Sequence, residues 1–401
     1  MSCTLEKSKH GSAIGATLLI TGCCIGAGMI GFPVVSALAG FIPSTIAMIL
    51  CYCFATGTGL LILESTLWFD RKVNLISIAN FSLGKGGKAI TWTFFLFLFY
   101  CLFVAYIDGG GQLFAGVLSK IFHAPIPREV GILACVGFVG GIVYAGTRMV
   151  SLVSRLFLLG LASSYLALVS LGLPNVKGEQ LLHMNWKGAL LTIPIFLVSF
   201  GYQNLIPTLT YYVKKNVNAL RFAIFIGNLI PLLIYFLWNF VILGILPETS
   251  SSDLAKIVSQ SDMVTGLLER ASESQSVLFF ALTFSFFAIL TPFMANTMAF
   301  VDFLKDGFKV TAKTKYELLF YALVLAPPTV LTLLYPRLFL KALGVAGGFA
   351  DVILFGILPV TIVWVGRYMK KAKGSYRVAG GKVFLIFILL LSLGFILLRN
   401  G

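Results

Sequence analysis

Gly26-Ala-Gly-Met-Ile-Gly-Phe-Pro33 interrupts the first long apolar segment of this chain, and Phe200-Gly-Tyr-Gln-Asn-Leu-Ile-Pro207 interrupts the sixth. Backbone N–H and C=O groups cannot be left bare in hydrocarbon. An unwound stretch at membrane depth is therefore tolerated only where it lines a cavity or binds something. Two broken membrane helices are the pattern of a secondary transporter, whose binding site is built from discontinuous helices.

Working outward from the breaks, the 401 residues are 58% hydrophobic and 11% charged, with a mean hydropathy of +0.96. A typical soluble domain carries about 25% charged residues. The chain reads as an all-α integral membrane protein. Its apolar runs each meet the ~20 residues a helix needs to cross the bilayer core, and the short alternating segments of a β-barrel are absent. Thirty-six Phe against five Trp suits a lipid-facing surface. The net charge of +15 sits in short connections between apolar runs rather than on one soluble face, so membrane topology explains it better than nucleic acid does. Lys7 and Lys9 precede a first span that lacks a small-residue cleavage site, and no removable signal peptide is expected. Cys3 lies in the N-terminal tail, while Cys23, Cys24, Cys51, Cys53, Cys101 and Cys135 lie inside apolar spans without metal-ligand spacing. They read as small buried apolar side chains, and no metal or cofactor is expected.

Eleven apolar spans are expected, at roughly 12–40, 44–69, 89–118, 130–147, 151–173, 188–212, 219–246, 277–303, 317–335, 342–366 and 383–398. An odd number puts the termini on opposite sides. With the N-terminus in the cytoplasm, 21 of the 30 Lys and Arg residues fall inside and 9 outside, among them Lys7, Lys9, Lys305, Lys309, Lys313, Lys315 and the cluster from Arg367 to Lys382 on the inner side. That bias sets the orientation as N-in, C-out. Residues 74–84 read as a short interfacial helix ending on glycine, and Asp253 to Arg270 as one or two short helices capping the outer mouth. The breaks are offset by five spans, so a second five-span half enters the membrane from the opposite side. This is an inverted repeat: residues 12–173, then 188–366, with 383–398 as an additional helix of one transporter domain.

Ile25-Gly-Ala-Gly-Met-Ile-Gly-Phe-Pro33 resembles the first-helix signature of the bacterial aromatic amino acid permeases, and Ile193 to Leu209 resembles their sixth-helix segment. The likeness continues through Ile226-Gly-Asn-Leu-Ile-Pro231, Tyr235 to Trp238 and Phe300-Val-Asp-Phe-Leu304, and covers nearly the whole chain. It implies the LeuT-like amino acid/polyamine/organocation architecture, uptake across the bacterial inner membrane and coupling to the proton gradient. Tyrosine is the favoured substrate, with tryptophan or phenylalanine as the alternative. Gln203 stands where members often carry histidine, and Asp108 where a small residue often precedes Gly109-Gly-Gly111.

A zwitterionic amino acid brings a carboxylate and an ammonium that must shed water. Gly26, Ala27, Gly28 and Met29 are expected to offer backbone N–H groups at the positive end of the outer half-helix to the carboxylate. The other reading of this G-x-G is a helix-packing notch. Carbonyls near Ser199, Phe200 and Gly201 would take the ammonium, leaving Tyr202, Gln203 and Asn204 to face the ring end of the pocket, or else to cap the broken helix ends. Tyr106 is a further candidate on span three. Intramembrane carboxylates are functional candidates by default, so Asp351, about 15 Å into span ten, and Asp108, near the outer face, are the proton-coupling candidates. The bland alternatives are an outer gate residue for Asp108 and a helix cap for Asp351. A sodium ion would instead need oxygens from span one and from Ser285 and Thr291 on span eight.

His10, His123 and His183 all lie outside the spans, which argues against an intramembrane enzyme. The asymmetric eleven-span layout argues against a channel. An amino acid-sensing receptor of the same fold is the rival from another class. The expected partners are therefore an aromatic amino acid, a proton and the lipid bilayer, with no nucleic acid and no obligate protein partner.

Overall fold

The first apolar segment folds as two helices, α1 (Ala13–Cys24) and α2 (Gly28–Ala39), bent by 56° across the intervening residues. Ser12 starts α1 by accepting a hydrogen bond from the Gly15 amide at 2.9 Å, one of the orphan donors of a helix N-terminus. The computed structural model describes residues 12–246, 263–271, 274–307 and 317–398.

Among these residues follow α3 (Phe41–Thr66), α4 (Leu75–Phe122), α5 (Arg128–Tyr144), α6 (Thr147–Gly172), α7 (Trp186–Ser199), α8 (Ile206–Tyr212) and α9 (Val217–Ile245). The rest are α10 (Val264–Ala271), α11 (Gln275–Gly307), α12 (Glu317–Leu334), α13 (Phe339–Val345), α14 (Leu358–Trp364) and α15 (Gly381–Leu398). A π-helical stretch, Ala346–Ile357, joins α13 to α14, and a second, Val365–Met369, follows. Seven of the described helical segments are long and apolar enough to cross a membrane, or eight when the bent α1–α2 pair is taken as one span. Shorter helices, α5, α12 and α15, stand where the sequence places spans four, nine and eleven. Leu152, Leu156, Leu159 and Leu166 form a stripe on α6, each more than half exposed. Lipid is the solvent such a face fits, and the chain is a membrane protein.

The interfacial helix read at 74–84 begins at Asn74, whose side chain accepts from the Ser77 amide at 2.8 Å. It ends in a kink at Gly84, whose φ of +71° is a conformation that L side chains rarely adopt. In the outer connection, α10 buries Val264, Leu267 and Leu268 and packs on α2 and α11. Residues 253–262 of that connection lie outside the described residues, as do Cys3, Lys7, Lys9, His10, Lys309, Lys313 and Lys315.

Proline chemistry ties the broken first span to α9. A proline inside a helix leaves the carbonyl four residues earlier without its donor. Pro33 does this to Met29, and the Trp238 indole N–H supplies the missing bond at 2.9 Å. Pro231 does it to Gly227, whose carbonyl accepts from the Thr21 hydroxyl at 3.0 Å. The two half-helices are thus held separately by one neighbour, α1 through Thr21 and α2 through Trp238.

Candidate functional site

The two breaks touch each other. A Cβ on Gly28 would stand 2.1 Å from Ser199 Oγ and 3.3 Å from Ser199 Cα, so only glycine lets the start of α2 approach the end of α7 this closely. Gly28 therefore serves the packing role weighed above, at the point where the breaks cross. Gly26, next to it, lies against Pro292 of α11 in ordinary contact, its would-be Cβ 3.5 Å away.

Unwinding leaves backbone groups free at this crossing. Met29 N bonds to Gly26 O and Ile30 N to Ala27 O, both at 3.0 Å, while the amides of Gly26, Ala27 and Gly28 have no partner among the described residues. Three successive N–H groups at the N-terminus of a 12-residue helix form an anion-receptive end. On the opposite polarity, the last carbonyls of α1 and α7, Cys24 O and Ser199 O, face one common donor. The buried Tyr235 hydroxyl lies 2.5 Å from the first and 3.0 Å from the second. Its ring is held between Phe32 and Phe200, at centroid distances of 5.1 and 5.3 Å.

Asp351 belongs to this place. It sits in the π-helical stretch after α13, one turn beyond Gly347, whose would-be Cβ would fall 1.7 Å from Pro194 O and which therefore lets span ten cross α7 closely. Asp351 Oδ1 lies 3.7 Å from the would-be Cβ of Gly201, inside the second break. It makes no ion pair or hydrogen bond among the described residues. The Cys23 and Cys51 thiols are within electrostatic reach of it. Cys23 Sγ also points at Gly201 O, 3.8 Å away, yet Cys23 is exposed. Gly22 beside it is exposed too, with nothing within 4 Å of an added Cβ. The outer half-helix, by contrast, is almost wholly buried from Gly28 to Val34. The α1 half thus has an exposed face beside the crossing, whereas the α2 half is packed over.

The remaining sequence candidates are distributed around this centre. Met29 is fully buried with its carbonyl taken by Trp238, and Phe200 is fully buried against Tyr235. Tyr202 points toward span two, donating its hydroxyl to Ala55 O at 3.1 Å. Gln203 is buried with Oε1 unpartnered, and Asn204 is exposed. Tyr106 accepts from Asn296 Nδ2 of α11 at 3.0 Å, its ring 5.7 Å from that of Phe293. Ser285 Oγ and Thr291 Oγ1 are buried without partners. Six residues apart on one helix, they are about 120° apart around its axis, so they do not converge on one ion. Thr291, next to Pro292, is the one adjoining the first break.

Asp108 is fully buried and saturated. Its carboxylate accepts from Arg128 Nη2 at 2.6 Å, Gln112 Nε2 at 3.2 Å and the Leu338 and Phe339 amides at 3.0 Å each. It caps the N-terminus of α13 and fastens it to α4 and α5. Glu64 does the equivalent at the other end of the bundle. It forms an ion pair with Arg367 through two hydrogen bonds and accepts from the Val378 amide at 2.7 Å. Sequence reading did not single out Tyr235, Asn296 or Arg128 as site residues. For Tyr235 a signal existed, because a phenol in an apolar span needs a partner for its hydroxyl.

Two broken helices crossing inside an apolar helical bundle define a membrane transporter rather than an enzyme. The model of the tryptophan/tyrosine permease family matches residues 9–399, and the chain belongs to that family. It is 31% identical over 388 residues to the tyrosine-specific transport system 1 of Haemophilus influenzae, covering 94% of each chain. The identity to the tryptophan-specific transport protein of the same organism is 30% over 403 residues, covering 96% of this chain and 94% of the relative. A glutamine transporter 2 of Aliivibrio fischeri is 26% identical over 390 residues, covering 94% and 97%.

Proposed function

We propose that this protein imports an aromatic amino acid, tyrosine first among them, by proton symport across the bacterial inner membrane. The observation that carries this reading is the crossing at Gly28 and Ser199. It brings three free amides at and just before the start of α2 and two terminal carbonyls of α1 and α7 to one place. A carboxylate is matched by the amides of Gly26, Ala27 and Gly28, and an ammonium by Cys24 O and Ser199 O. Both contacts take only the carboxylate and ammonium common to all amino acids, so the ring is read elsewhere. Tyr106, paired with Asn296 and with its ring tilted against that of Phe293, is the polar and aromatic group best suited to it. Gln203, with its unpartnered Oε1, is the second.

Coupling falls to Asp351. Its carboxyl lies beside Gly201 with no cation facing it among the described residues, and in such surroundings a carboxylate is costly whereas a carboxylic acid is not. Asp108, committed to four hydrogen bonds, serves as a fastening of the outer end. The fold we infer is the eleven-span inverted repeat, with α5, α12 and α15 completing the set and the N-terminus in the cytoplasm. In that orientation the partly exposed α1 half lies toward the cytoplasm and the α2 half is packed over, which supports reading this arrangement as inward-facing in an alternating-access cycle.

The test is uptake of labelled tyrosine into proteoliposomes under an imposed pH gradient without sodium, with unlabelled tyrosine, tryptophan and phenylalanine as competitors. Accumulation that a protonophore abolishes is the expected result, and accumulation that survives the protonophore contradicts proton coupling. The unpartnered Thr291 hydroxyl at the first break favours one second reading, sodium coupling. A strict sodium requirement in the same assay would establish that instead.

A further inference from the structure

The geometry points to Tyr235 as the residue that positions the ammonium-binding carbonyls of both broken helices. This rests on the reading of the site as an amino acid site and adds to it a residue on a third helix. Cys24 O and Ser199 O belong to different half-helices, 175 positions apart in sequence, and nothing in the backbone hydrogen-bond pattern fixes their separation. Both face the same hydroxyl oxygen, at 2.5 and 3.0 Å, so they stand no more than 5.5 Å apart. An ammonium making two bonds of about 2.8 Å can span that gap.

The proton count is the second part. A phenol has one O–H donor, so Tyr235 can satisfy only one of the two carbonyls fully at any moment. Each carbonyl also has two lone pairs. Tyr235 reaches them from the side of α9, its ring locked between Phe32 and Phe200 and fully buried. On the other side Cys23, next to Cys24, is exposed, and its thiol lies 3.8 Å from the carbonyl oxygen of the half-buried Gly201. The substrate's amino group, with three N–H donors, supplies from that side what a single phenol proton cannot. Tyr235 is thus a positioning residue: it aligns the two acceptors before substrate arrives and selects for a primary ammonium over a neutral or absent amine.

Tyr235→Phe removes the hydroxyl and keeps the ring. Purified protein is titrated with labelled tyrosine, against which unlabelled tyrosine, tyrosine methyl ester and 3-(4-hydroxyphenyl)propanoate, which lacks the amino group, compete. The expected result is a loss of about tenfold in affinity for both amine-bearing ligands, with the affinity of the deamino acid unchanged within about twofold. Trp238→Phe, which removes the neighbouring tie to Met29 O on the outer half-helix, is expected to leave the ratio of amine to deamino affinities unchanged. Unchanged tyrosine affinity in Tyr235→Phe overturns the inference. So does an equal loss for all three ligands, or the same loss of tyrosine affinity in both variants. If Tyr235→Phe does not fold, 3-fluorotyrosine placed at position 235 keeps the hydroxyl and reports on it. Its ¹⁹F resonance should shift on tyrosine binding and not with the deamino acid, and no shift with tyrosine refutes the role. Failure of the wild-type protein to bind any aromatic amino acid would count against the proposed function and is distinct from each of these results.

Discussion

Substituting Gly28 by Ala should disable the crossing of the two breaks, and the size of the effect follows from the local geometry. The new Cβ would stand 2.1 Å from Ser199 Oγ, 3.0 Å from Ser199 Cβ and 3.3 Å from Ser199 Cα. Non-bonded carbon atoms reach their optimum at about 3.5–4.0 Å, so rotation of the serine hydroxyl alone is not enough. That rotation already forfeits the Ser199 Oγ bond to Ile195 O at 2.7 Å, worth about 0.5–1.5 kcal/mol. The remaining overlap with Cβ and Cα forces backbone movement, for which overpacking costs of about 1–3 kcal/mol are typical. Ser199 cannot retreat freely, because its carbonyl is one of the two facing Tyr235. The assay is thermal unfolding in detergent together with tyrosine uptake in proteoliposomes. Gly28→Ala should lower both, and Ser199→Gly added to it should recover part of each, with a coupling energy in the range of about 0.5–3 kcal/mol found for touching residues. Wild-type stability and uptake in Gly28→Ala, or strict additivity in the double variant, would refute the contact.

Asp351→Asn should retain tyrosine binding and exchange but lose accumulation driven by a pH gradient, which counterflow and gradient-driven uptake separate. Asp108→Asn, by contrast, should mainly lower the melting temperature, because it weakens the cap on α13 and the pair with Arg128 rather than the coupling step. Glu64→Gln leaves Arg367 buried without its counter-charge, only 4% of its side chain being exposed. Loss of one partner from such a pair costs about 3–5 kcal/mol, to be read as a lower unfolding midpoint. Cys23 should react with a membrane-impermeant thiol reagent applied from the cytoplasmic side and be protected by tyrosine, with Cys23→Ser as the control for labelling elsewhere.

Both breaks were legible in the sequence because each combines glycine with a proline six or seven residues later inside an apolar run, and the Gly84 kink because a glycine closed an amphipathic run. Gly28 illustrates the limit of such reading. Its sequence fits both a ligand-facing amide and a packing notch, and only the proximity of Ser199, 171 positions later, shows the packing contact. Pairings across long separations were invisible for the same reason. Glu64 meets Arg367, and Asp108 meets Arg128 and the amides of Leu338 and Phe339, through tertiary packing that no local spacing encodes. The Tyr202 side chain, expected at the ring end of the pocket, points instead at Ala55 on span two. The first turn after the break is a 3-10 helix over Gln203–Leu205, which rotates side chains by a different step from an α-helix. Direction could not be read from residue order there.

The most direct measurement is an experimental structure of the protein with tyrosine bound. The carboxylate should lie on the amides of Gly26, Ala27 and Gly28, and the amino group should bridge Cys24 O and Ser199 O beside Tyr235, with the ring toward Tyr106 and Asn296. A tyrosine found away from the Gly28–Ser199 crossing, or bound there with its carboxylate and amino ends exchanged, would contradict the account.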